Sequence, residues 1–106
     1  MTEQELALLA DVKNYLDITW NDEATDKKLT GIINRGKSYL QDIASSLFID
    51  FAVECKARSL LFDYCRYARS NALEMFEINF KSQLIGLRLA YKVANITIEE
   101  DAPVDN

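Results

Sequence analysis

Apolar residues along this chain recur every three or four positions for most of its length, and that helical period, rather than the two-residue alternation of a strand, sets the elements it predicts. In TEQELALLADVKNYLD, Leu6, Leu9, Val12 and Leu16 keep the spacing behind a capping box, with Thr2 as N-cap and Glu5 three residues on. A first helix is therefore expected to end near Asp17. ITWND reads as a connection in which Ile18 and Trp20 pack and Asn21 or Asp22 caps the next element.

The cleanest amphipathic pattern follows: Leu29, Ile32, Ile33, Gly36, Tyr39, Leu40 and Ile43 form one stripe, with Lys27, Lys28, Asn34, Arg35, Lys37 and Gln41 largely outside it. Gly36 lies on the stripe, where glycine costs ~1 kcal/mol of helix propensity but lets a neighbouring helix come close, so a packing role is predicted. SSLFID leads to a third helix with Asp50 as N-cap, Val53, Ala57, Leu60, Leu61, Tyr64 and Ala68 inward, and Glu54, Arg58, Asp63 and Arg66 outward. In SNALE, Ser70 or Asn71 caps a further helix with Glu74 in its first turn; a kink is the alternative to a turn there. Leu73, Phe76, Phe80, Leu84, Leu87 and Tyr91 carry that fourth helix to about Leu89. VANITIEE alternates β-branched residues and reads as a short strand or extended arm, with no partner strand in the chain. The expected fold is all-α: a small bundle of about four helices over residues 1–94 and a short extended or disordered acidic C-terminal tail over 95–106.

Composition narrows the class. A chain of 106 residues is one domain and buries roughly two-thirds of its unfolded surface. With 49% hydrophobic residues, one proline and three glycines it is too apolar for disorder and too unpunctuated for a β-sandwich. No run is long and apolar enough for a membrane span and the start lacks a signal-peptide pattern, so a soluble protein made in the cytoplasm, with no membrane partner, is expected. Cys55 and Cys65 stand ten apart in one predicted helix, about 15 Å along its axis and beyond disulfide reach, so both are expected reduced and packed. Of 17 acids, four lie at or beyond Glu99, leaving 13 acids against 12 bases in residues 1–98. Such a near-neutral body has no basic excess to supply non-specific DNA affinity.

Candidate chemistry is sparse. Histidine is absent, the two cysteines cannot make a zinc knuckle, and Gly31, Gly36 and Gly86 are scattered through helical patterns, which excludes P-loop and dinucleotide fingerprints. The pairs Asp22/Asp26 and Glu74/Glu77 read as solvated faces. No enzymatic activity, metal or cofactor is expected. In LLFDYCRYARSN, Arg66 and Arg69 lie three apart and Arg58 eight before Arg66, so the three can share one side of helix three. Arginines among tyrosines suit a protein interface, while a phosphate grip or plain salt bridges stay open, since Glu54, Asp63, Glu74 and Glu77 neutralise the patch. Trp20, Phe48, Phe51, Phe62, Tyr67, Phe76 and Phe80 are numerous for four short helices. Either some remain exposed and mark association, or a further helix covers them.

Taken together, DVKNYLDITWND, LLFDYCRYARSNALEMFEINF and LIGLRLAY resemble the phage head–tail connector family of Gram-positive phages and prophages, small helical adaptor or DNA-packaging proteins. The likeness spans roughly residues 6–92 and is carried by Leu16, Asp17, Ile18 and Trp20, then Tyr64, Arg66, Tyr67, Arg69, Asn71 and Phe76. It implies a structural subunit that forms a ring, typically twelve-fold, below the portal protein. Such a ring meets a downstream connector or tail protein, passes DNA without sequence-specific binding, and resides in the virion after assembly in the host cytoplasm. The family has no catalytic residues to carry over. Interface candidates from the patterning are Trp20, Arg58, Arg66, Tyr67, Arg69, Asn71, Phe76 and Phe80, with contacts of the Arg66, Tyr67, Arg69 and Asn71 group expected to reach a neighbouring subunit or the portal. The alternative is a small helical nucleic-acid-binding or packaging factor using the Arg58, Arg66 and Arg69 face.

Overall fold

A computed structural model describes the backbone of residues 1–45 and 47–101, and the side chains of residues 1–45 and 47–94. Its five helices are α1 (Glu3–Tyr15), α2 (Glu23–Ala44), α3 (Lys56–Arg69), α4 (Leu73–Asn79) and α5 (Lys81–Asp101), with no strand among the described residues. The fold is all-α, as the periodicity implies. The extra helix arises because the expected fourth one bends at Phe80. There Phe80 leaves helical geometry at φ −110°, ψ 16°, yet its N–H still donates to Phe76 O (2.9 Å) and its carbonyl accepts from Leu84 N–H (2.9 Å). A kink bracketed by these two hydrogen bonds separates α4 from α5. VANITIEE, expected as strand or arm, is helical as far as Asp101; residues 102–106 lie outside the described residues.

Both first helices start as the sequence dictates. The Thr2 hydroxyl accepts from Glu5 N–H (3.1 Å), and Asp22 Oδ2 accepts from Thr25 N–H (3.1 Å) and the Thr25 hydroxyl (2.6 Å), satisfying amide donors the first turn leaves free. α1 ends on Asp17 at φ 59°, with Ile18 N–H donating back to Lys13 O (2.9 Å). α3 ends the same way on Asn71 at φ 56°, with Ala72 N–H donating to Tyr67 O (2.9 Å). These are left-handed terminations in which Asp and Asn take the place usual for glycine. Asn71 therefore closes α3 instead of capping α4, whose N-terminus has no side-chain cap.

α3 begins later than Asp50. The Asp50 carboxylate accepts from Ala52 N–H (3.0 Å) in a turn, and Cys55 precedes the first helical residue. Val53 falls in this connection and is exposed. Gln41, read as outward, organises the linker instead: its amide donates to Leu47 O (2.7 Å) and accepts from Ile49 N–H (3.0 Å), seating Ile49 in the core.

The core lies between α2 and α3, flanked by α1, α4 and α5. Leu29, Ile32, Ile33, Leu40 and Ala44 of α2 meet Ala57, Leu60, Leu61 and Tyr64 of α3, and Leu8, Leu9 and Val12 close one side. Gly36 packs directly against α3. A Cβ there would sit 2.7 Å from both Leu61 Cδ1 and Tyr64 Cδ1, so the packing role expected of this glycine is met. The other side is an aromatic cluster: Phe76, wholly buried, is ringed by Tyr39, Tyr64, Tyr67 and Phe80 at centroid distances of 5.0 to 6.2 Å. The radius of gyration, 15.9 Å, exceeds the ~13 Å of a compact chain of this size. The bundle is elongated, with extents of 59 × 33 × 18 Å.

Candidate interaction surface

The eight interface candidates separate in space. Arg58 is a correction: read as outward, it is buried (8% exposed) because α3 starts late and the 50–55 connection folds over it. Its guanidinium donates to Phe51 O (2.8 Å) and Asp11 Oδ2 (2.6 Å), lies 3.4 Å from the Glu54 carboxylate, and stacks 4.9 Å from the Phe62 ring centroid. Arg58 thus ties α1, the connection and α3 together and cannot join Arg66 and Arg69 on a surface. Phe76 is likewise a core residue, with no exposed area.

Arg66, Tyr67, Arg69 and Asn71 do come together, at the C-terminal end of α3. Arg66 is exposed, 3.3 Å from Asp63 and 5.0 Å above the Tyr67 ring. Tyr67 is half-buried against Phe76 and Phe80, and its hydroxyl accepts from Asn79 Nδ2 (3.1 Å). Arg69 and Asn71 are exposed and Phe80 is half-buried. Of the surplus aromatics, Tyr67, Phe76 and Phe80 pack together where α3 meets α4, as the second of the two sequence readings allows, and Phe62 packs against Tyr15 of α1. Phe48 is 84% exposed.

Trp20 stands apart. Ile18 packs, as expected, but Trp20 is half-exposed and, with Leu6, Leu9, Ala10 and Ile18, lines a hollow of about 350 Å³ beside α1. Lys13 borders it, 2.8 Å from Asp26 Oδ1 but off hydrogen-bonding angle.

The sequence reading missed a row of exposed apolar residues. On α4 and α5, Ile78 (66%), Ile85 (49%) and Leu89 (54%) are open to solvent, interleaved at three- or four-residue spacing with exposed Lys81, Arg88 and Lys92. Two adjoining hollows of about 590 and 650 Å³ run between this row and α2, sharing Tyr39, Ile43 and Arg88. The signal was present: Ile78, Ile85 and Leu89 recur seven and four residues apart, a second apolar line at helical spacing beside the Leu84, Leu87, Tyr91 stripe.

Titration behaviour follows burial and local partners. Burial pushes the Cys65 thiol up to about 12, whereas Cys55 is half-buried and both thiols are free. Tyr15 is raised first by its hydrogen bond to Asp63 (2.6 Å) and then by burial; Tyr39 is raised by burial and then by the Glu77 charge. No group of three acidic, cysteine or histidine side chains that could hold a metal occurs among the described residues, and no helix among them is long and apolar enough to cross a membrane.

No protein-family model, curated protein or solved structure matches the chain.

Proposed function

We propose that this chain is a phage head–tail connector subunit: a structural protein that assembles as a ring below the portal, extends the DNA channel and links capsid to tail. The observation that carries the reading is the row of Ile78, Ile85 and Leu89, each 49% exposed or more on a bundle whose core is already closed. An apolar row of that length on a small domain marks a surface that another chain covers. The likeness over residues 6–92 supplies the kind of assembly. Arg66, Arg69 and Asn71 are the residues proposed to meet the portal or a neighbouring subunit, with half-exposed Trp20 as a second contact. A body with 13 acids against 12 bases lets DNA pass without holding it.

The nucleic-acid alternative is weaker, since Arg58 is buried and Arg66 is neutralised by Asp63. Capture of the chain by a phage portal protein tests the proposal. Replacing Arg66 and Arg69 by glutamate should abolish capture or ring formation while the helical signal stays intact. Indifference of the unaltered chain to portal, together with a salt-dependent shift of duplex DNA, would favour the alternative.

A further inference from the structure

We infer that the α4–α5 row is one half of a head-to-tail contact whose occupant is the acidic α1 end of a second copy of this chain; the inference deepens the connector reading and rests on it. From Ile78 to Ala94 the chain carries Lys81, Arg88 and Lys92 and no acid. All three cations are exposed, and none has an ion-pair or hydrogen-bond partner among the described residues. The face they share with Ile85 and Leu89 is therefore apolar and net positive, three cations against Glu77 and Asp42, the acids that line the adjoining hollows.

Charge disfavours the simplest partner. Two copies of this face meeting about a two-fold axis would set Lys81, Arg88 and Lys92 against cations of their own kind, an arrangement that like-charge repulsion opposes. The complement lies at the other end of the same molecule. Residues 1–26 hold seven acids against one base, Lys13, which is already engaged with Asp26. Asp11 serves Arg58, leaving Glu3, Glu5, Asp17, Asp22 and Glu23 exposed without an ion pair among the described residues.

Shape agrees with charge. The outer side of α1 presents Leu6 with the small exposed residues Ala7 and Ala10, over which another helix can approach closely, and Leu6 and Trp20 border the hollow able to take an aliphatic side chain. α1 has 13 residues, about 20 Å of helix, and the stretch of α5 from Lys81 to Lys92 covers about 18 Å at the same rise. A contact between two different faces repeats from copy to copy and closes into a ring when the rotation allows, which a self-complementary face cannot do.

Two charge-reversed variants test the pairing by sedimentation velocity at low salt, up to roughly 1 mM protein, where even a millimolar contact is populated. One carries Arg88→Glu and Lys92→Glu, the other Glu3→Lys and Glu23→Lys. The unaltered chain should associate, each variant alone should associate at least about tenfold more weakly, and an equimolar mixture should recover association, because each reversed face then finds its complement. A mixture that stays as weak as its components, while the unaltered chain associates, overturns the pairing and leaves self-assembly standing. An unaltered chain that remains monomeric overturns it as well, with the connector reading judged separately by portal capture. Duplex DNA binding by the unaltered monomer that the α5 variant loses would assign the cations to phosphate instead. Should a charge variant not fold, Ile85→Ser with Leu89→Ser removes the apolar part at exposed positions, and undiminished association there also contradicts the inference.

Discussion

Replacing Gly36 by alanine sets two effects against each other. Alanine is the better helix former by about 1 kcal/mol, so in an open helix the change stabilises. At Gly36 the added methyl would stand 2.7 Å from Leu61 Cδ1 and from Tyr64 Cδ1, where carbon contacts settle near 3.5–4.0 Å, so α2 and α3 must part by about 1 Å or two side chains must move. Neither can move freely. Leu61 has no exposed area, and the Tyr64 ring is wedged between Tyr39 and Phe76, each 5.6 Å away. Overpacking of this kind costs about 1–3 kcal/mol, which outweighs the propensity gain and leaves a net loss of about 1 kcal/mol. For a domain of this size that lowers the melting temperature by about 4–8 °C. Gly86 supplies the internal control: it lies inside α5 with nothing within 4 Å of an added Cβ, so Gly86→Ala should raise stability by up to about 1 kcal/mol. Thermal and urea unfolding followed by helical circular dichroism reads both. If Gly36→Ala stabilises as much as Gly86→Ala, the close approach of α2 and α3 is wrong.

Other outcomes follow from the buried and titrating groups. Arg58→Ala should cost about 2–4 kcal/mol in urea unfolding, because the Phe51 carbonyl loses its donor and the stem leaves Phe62, whereas half-exposed Asp11 regains water; a loss below about 0.5 kcal/mol would contradict the buried tie. A thiol reagent at pH 8 should label Cys55 in the folded chain and Cys65 only after unfolding, since the Cys65 thiol titrates near 12; equal labelling rates would show that Cys65 is open. The Thr25 hydroxyl and amide hold the Asp22 carboxyl below the ordinary carboxylate range. A lowered folded-state value means that its contribution is complete above pH of about 4 and is lost as the pH falls through the lowered value. The acid limb of stability should therefore flatten in Asp22→Ala, and an unchanged limb would refute the cap.

Local signals were legible where cause and effect lie within a few residues. The caps at Thr2 and Asp22, the α2 stripe and the Gly36 approach all follow from short-range spacing. Arg58 was misread because its partners are not local: Asp11 stands 47 residues away, and the Phe51 carbonyl reaches it only because the chain turns at Asp50. Seen on helical spacing alone, an arginine beside Glu54 looks solvated. Asn71 was misread as an N-cap because asparagine serves two chemistries, accepting from the first turn of a helix or adopting the left-handed conformation that ends one. The α5 row was overlooked because the inward stripe already accounted for enough apolar residues, and the lack of acids between Ile78 and Ala94 shows only when charge is counted along that stretch.

The central claim is that a closed helical bundle carries an outer surface completed by other chains of a capsid portal complex. Sedimentation of the chain mixed with a phage portal protein measures this most directly. The account predicts that the chain moves with the portal as a ring-sized complex and that Arg66→Glu with Arg69→Glu releases it. A chain that sediments as a free monomer at every ratio of portal to subunit would contradict it.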